Sequence, residues 1–157
     1  MSITVVIAGH QKSRRAVYFR LLQADKGIRV IGEAKNILEA IAASAKLKPN
    51  ILLIESGLSR GKRIALLPVV RRRSPKTKAI LLTRNGAETR LLKALSFGAR
   101  GYLKEALVAT FLVKAVRHVY AGEVWVPRGM TAKIVDYLAH VTSVSQISNR
   151  KNLKFSD

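Results

Sequence analysis

The chain has no cysteine, which excludes disulfides and thiolate metal sites and makes a reducing compartment the simplest setting. It is also short of acid: nine Asp and Glu face twenty-nine Lys and Arg, a net charge of +20 over 157 residues. Aromatic residues make up 6% of the sequence, which offers little support for base stacking. The three histidines are scattered, and His10 has no second ligand at suitable spacing, so no metal is expected. No segment approaches the roughly 20 apolar residues of a membrane span. The N-terminus enters Ile3-Thr-Val-Val-Ile7 directly, without a basic region and long apolar stretch before it. The expectation is a soluble, cytoplasmic protein with no membrane partner and no cofactor.

What is present suits one globular domain with a full core: 48% hydrophobic and 24% charged residues over this length. The surplus of positive charge leaves two readings open. It can attract polyanions such as nucleic acid, or it can be a solvated surface in a fragment whose missing part is more acidic.

The organising stretch is Asn50-Ile-Leu-Leu-Ile-Glu-Ser-Gly57. An unbroken apolar run there predicts a strand buried on both faces of a parallel sheet. The residue just past it, Glu55, falls at the carboxyl edge, where open α/β folds place their sites. Further strands are expected at Ile3–Ile7, Ile28–Gly32, Ala79–Thr83 and Gly101–Leu103. A helix follows each. Ser13 is taken as the cap of the first, which runs to about Ala24 with Val17, Leu21 and Ala24 inward and Arg14, Arg15 and Arg20 facing solvent. Asn36 caps the second, through Ala45, with Ile37, Ile41 and Ala45 inward. Pro68 predicts an irregular or late-starting third helix over Ile64–Arg73. Ala87–Phe97 closes on Gly98, and Ala106–Tyr120 carries Phe111, Leu112, Ala115, Val116 and Val119 inward. Five alternations of strand and helix predict a doubly wound parallel sheet with right-handed crossovers. After a short connection at Trp125–Pro127, a sixth helix is expected over Met130–Leu138, then a polar linker from Ala139 onward.

With Val30-Ile-Gly-Glu-Ala34, Lys48-Pro-Asn-Ile-Leu-Leu-Ile54, Arg72-Arg-Ser-Pro75, Gly98-Ala-Arg-Gly-Tyr-Leu103 and Ala121-Gly-Glu123, the chain resembles the receiver domain of two-component response regulators. The branch it resembles is NarL/FixJ, whose members carry a LuxR-type helix-turn-helix. The resemblance implies a five-stranded flavodoxin-like sheet of order 2-1-3-4-5 over residues 1–124. Residues 125–157 would supply the extra helix and linker, and a DNA-binding helix-turn-helix would lie beyond this chain.

The family's chemistry, by the same resemblance, needs an acidic pair after the first strand to hold Mg²⁺, a phosphoacceptor Asp after the third, a Thr or Ser after the fourth and a Lys after the fifth. Here Ala8 and Gly9 stand where the metal ligands belong, so two oxygen donors for a hard cation are gone. Glu55 stands at the acceptor position and Thr83 at the hydroxyl position. An ungapped count puts Glu105 at the Lys position, and a one-residue slip puts Lys104 there. The resemblance therefore implies a degenerate, unphosphorylated receiver with no catalytic residue. Glu55 either imitates a charged acceptor or pairs with Lys12 or Lys104. Thr83 and Tyr102 are remnants of the family's switch, or simply satisfied core residues. Lys12, Arg60, Lys62, Arg63 and Arg84 form a candidate anion site among the loop ends, and Arg71-Arg-Arg73 with Lys76 and Lys78 a basic cluster on the opposite edge. Expected partners are a second copy of the chain, through the face around Ala87–Lys104, and DNA, through the module beyond the chain or non-specifically through the basic surface.

Overall fold

Apolar runs too continuous to alternate between a wet and a dry face become strands covered on both sides. Ile51–Ile54 (β3) is buried at every position, and Ile3–Ala8 (β1) and Lys78–Thr83 (β4) nearly so. The structure, a computed structural model, describes residues 2–58, 62–84 and 88–149, and leaves the side chains of 88, 89 and 141–149 aside. Ile28–Ala34 (β2) and Gly101–Lys104 (β5) complete a five-stranded, all-parallel sheet of order β2-β1-β3-β4-β5. This is the flavodoxin-like order that the sequence implies.

The helices are Lys12–Gln23 (α1), Ile37–Leu47 (α2), Leu66–Arg73 (α3), Glu88–Ser96 (α4) and Val108–Tyr120 (α5). Asn36 caps α2 by accepting from the Glu39 N–H at 2.8 Å. α3 starts late, after a 3₁₀ turn at Arg63–Ala65, so Pro68 falls in its first turn, where no intrahelical N–H is needed. Gly98, at φ +110°, ends α4 as expected. Helix α5 lays Leu112, Ala115, Val116 and Val119 into the core, with Phe111 at its margin.

The first helix departs from expectation. It begins at Lys12, one residue before the expected Ser13 cap, and no side chain caps it. Its buried face is Tyr18 and Leu22, whereas Val17 is 41% exposed. That change of phase turns Arg14 toward the sheet edge and away from solvent. In α2 the fully buried line is Ala40 and Ser44, flanked by Ile37 and Ile41.

After α5 the chain returns along the free edge of β5. Trp125 donates its N–H to Arg100 O at 2.9 Å and accepts from the Tyr102 N–H at 2.8 Å, a one-residue parallel bridge. Its ring packs against Phe111 and His118, at centroid distances of 5.9 and 5.2 Å. The chain divides into two units, Met1–Val126 and Pro127–Asp157. In the second, the expected linker from Ala139 is corrected: the helix (α6) spans Thr131–Asn149. Val141, Val144 and Ile147 recur within the polar stretch at a three-residue spacing that a helix accommodates.

Candidate functional site

In a sheet of this order, the chain reverses direction between β1 and β3, and the loops after those strands diverge around a crevice. Ala8 pairs with Ile54 in the ladder, which brings the Gly9–Gln11 loop beside Glu55. The Glu55 N–H donates to Ala8 O at 2.8 Å, and its side chain is 1% exposed. Carboxylate Oε1 accepts from the His10 N–H at 3.3 Å. A Cβ on Gly9 would lie 2.6 Å from Glu55 Cγ, and one on Gly57 would lie 3.0 Å from Glu55 Oε1. The Glu55 side chain therefore fills the space a side chain at position 9 would need.

The counter-charge is Arg14. Its Nη1 donates to both oxygens of Glu105 at 3.0 Å and lies 3.6 Å from Glu55 Oε2. One guanidinium thus links the carboxylate after β3 to the one after β5, in place of the expected pairing of Glu55 with Lys12 or Lys104. Lys12 is exposed at the start of α1, and Lys104 is exposed at the end of β5 opposite Thr83. Glu105, in the turn that follows, also accepts from Ser56 Oγ and lies 3.5 Å from Arg84 Nε. Burial pushes the Arg14 guanidinium down, but the charges of Glu105 and Glu55 outweigh it and leave its pKa above the ordinary arginine value. Beneath it, burial and then the same two carboxylates push the Tyr18 phenol up to about 12.

The expected anion site is not brought together as drawn. Arg63 is buried and turns inward, where its Nη1 donates to Ile54 O at 3.2 Å and to Leu82 O. It closes the carbonyl edge between β3 and β4, and burial lowers its pKa. Lys12 and Lys62 are exposed and do not line the crevice, and Arg60 lies outside the described residues. Arg84 does line it. So do Thr83 and Tyr102, both buried. The crevice is a cleft of about 490 Å³ whose far wall carries Arg90 and Lys93 of α4. Arg14 is among the cations that the sequence gathers at the loop ends, but its pairing with Glu55 and Glu105, and the places of Arg90 and Lys93, escaped sequence reasoning.

A divalent cation does not fit the residues present. Ala8 and Gly9 carry no side-chain donor, position 9 has no room for one, and Arg14 engages the two carboxylates. Among the described residues, no group of three or more His, Asp or Glu converges.

The family model for the response regulator receiver domain matches residues 5–117. The transcriptional regulatory protein LnrK of Bacillus subtilis is 28% identical over 134 residues, which cover 85% of this chain and 61% of that one. The DNA-binding transcriptional activator DevR/DosR of Mycobacterium tuberculosis is 30% identical over 117 residues, 74% of this chain and 54% of its own. The chain thus spans between half and two thirds of these relatives' length. Among solved structures, a LuxR-family response regulator from Aurantimonas sp. superposes with a TM-score of 0.78 at 21% identity, over 88% of this chain and 99% of that one. The isolated receiver domain of RcsB from Salmonella enterica gives 0.77 at 23%, over 85% and 98%. Both show the fold. No described helix is long and apolar enough to cross a membrane.

Proposed function

The chain belongs to the response regulator receiver family, and from that premise we propose that it is a regulatory domain that works without phosphorylation inside a LuxR-type transcription regulator. The observation that carries this is the Arg14 bridge between Glu55 and Glu105. Phosphoryl transfer to a carboxylate depends on cations that neutralise charge on the transferred group and on an acceptor open to in-line attack. Here the acceptor-equivalent carboxylate is buried, its metal-ligand positions are Ala8 and Gly9, and the resident cation is a tethered guanidinium. A fixed cation does not come and go with signal, so the domain holds one state. Glu55, Thr83, Tyr102 and Glu105 are then remnants of a switch and not a catalytic set. Lys104 has no part in it.

The work left to such a domain is association. The α4–β5 face, with Leu92 half-buried and Phe97 37% exposed, pairs two copies, and DNA is read by a module outside this chain. The relatives' names support that division of labour, being those of transcription regulators. The test is intact mass after incubation with acetyl phosphate and Mg²⁺. The expected result is no added phosphoryl group, and an adduct on Glu55 overturns the proposal.

A further inference from the structure

The charge arrangement in the cleft is unresolved in two complementary ways. At its floor, Glu55 Oε2 is buried and has no hydrogen-bond partner among the described residues, since Arg14 approaches it only to 3.6 Å. A buried carboxylate oxygen left without a donor is costly. The cleft lining also carries three exposed cations, Arg84, Arg90 and Lys93, and the buried Arg63. Of the three, Arg84 Nε lies 3.5 Å from Glu105, which Arg14 also holds, Lys93 lies 5.9 Å from the Phe97 ring centre, and Arg90 makes no hydrogen bond or ion pair among the described residues. Two guanidiniums and an ammonium lining one cleft suit the several oxygens of a phosphate.

Resting on the reading that this site is not phosphorylated, we propose that the cleft binds, without covalent chemistry, a small phosphomonoester carrying its own hydroxyl or ammonium donor. The phosphate sits against Arg84, Arg90 and Lys93, and the donor reaches Glu55 Oε2. The volume of about 490 Å³ is that of a small-metabolite pocket. The ligand would supply from outside the regulation that phosphorylation supplies elsewhere. Its phosphate is a recognised group that stays on the ligand.

The experiment is calorimetric titration of the full chain at constant ionic strength with inorganic phosphate, with phosphoethanolamine, and with sulfate as a control. Phosphoethanolamine, which has both groups, is expected to bind tighter than inorganic phosphate by roughly tenfold, the value of one charge-assisted hydrogen bond. Arg90→Glu, at an exposed position, is expected to weaken both by at least roughly tenfold. Glu55→Gln is expected to abolish only the preference for phosphoethanolamine. Equal affinity for all three anions, or binding unchanged in Arg90→Glu, overturns the proposal. A parallel incubation with acetyl phosphate and Mg²⁺, read by intact mass, separates the two claims: an added phosphoryl group sinks the phosphorylation-independent reading, while unchanged mass there and no binding in the titration sinks only this one.

Discussion

At the residue scale, the site turns on a steric exchange between positions 9 and 55. Gly9 is required by proximity: its Cβ would sit 2.6 Å from Glu55 Cγ, closer than packed atoms tolerate. Gly9→Ala should therefore cost about 1–3 kcal/mol, the usual penalty for overpacking. Adding Glu55→Ala should recover much of that loss, because the methylene that clashes is gone. Urea unfolding of the single and double variants measures the coupling, and additive losses would count against the contact. Tyr18 gives a second expectation. Its pKa is raised from 10.0 to about 12, by burial first and then by Glu105 and Glu55. The unfolded chain thus loses this proton before the folded one does, so stability is full below about pH 10 and falls as pH rises to about 12, by roughly 2–3 kcal/mol. Tyr18→Phe should remove that share of the alkaline slope in unfolding experiments, and a slope equal to the parent's would contradict the assignment. The place of Glu55 just past β3 was legible in the sequence. The Arg14 bridge was not, since it depends on α1 burying the Tyr18 and Leu22 face instead of that of Val17 and Leu21, and a shift of one residue turns a helical side chain by about 100°.

At the element scale, what the sequence displayed best were buried strands and helices with strong punctuation. Ile51–Ile54, the late start of α3 before Pro68 and the stop of α4 at Gly98 could all be found from local chemistry. Elements without a periodic pattern could not. The Trp125 bridge is one residue long, and its evidence is two backbone hydrogen bonds to β5. The extension of α6 through residues 139–149 was hidden by Ser and Thr, residues that compete with helical hydrogen bonds and so read as linker. The bridge matters because an open edge strand invites wrong pairing, and because it ties the chain leaving the domain to the backbone of Tyr102. Trp125→Ala keeps both backbone bonds and loses the packing on Phe111 and His118. It should lower stability by about 1–2 kcal/mol. Trp125→Pro also loses the N–H that donates to Arg100 O, and should cost about 1 kcal/mol more. A Trp125→Ala variant that unfolds with the parent would mean that the ring contributes nothing.

At the scale of the whole molecule, topology was the most legible property: five apolar runs alternating with helices predict a doubly wound parallel sheet, and the family resemblance implies its strand order. Function was less so. The +20 charge promises non-specific attraction to any polyanion, with affinity falling by a slope of roughly 0.9 per phosphate contacted, and so identifies no partner. At the carboxyl edge, one guanidinium, Arg14, stands between Glu55 and Glu105. The central claim is that Arg14 stands permanently where a receiver would recruit a metal ion. The most direct measurement is a Mg²⁺ titration of the full chain followed by its backbone amide resonances. The account predicts that the amides of His10, Glu55 and Ser56 drift no more than those of exposed residues elsewhere. A saturable shift confined to those amides would show that the site still takes a metal ion, and the account would be wrong.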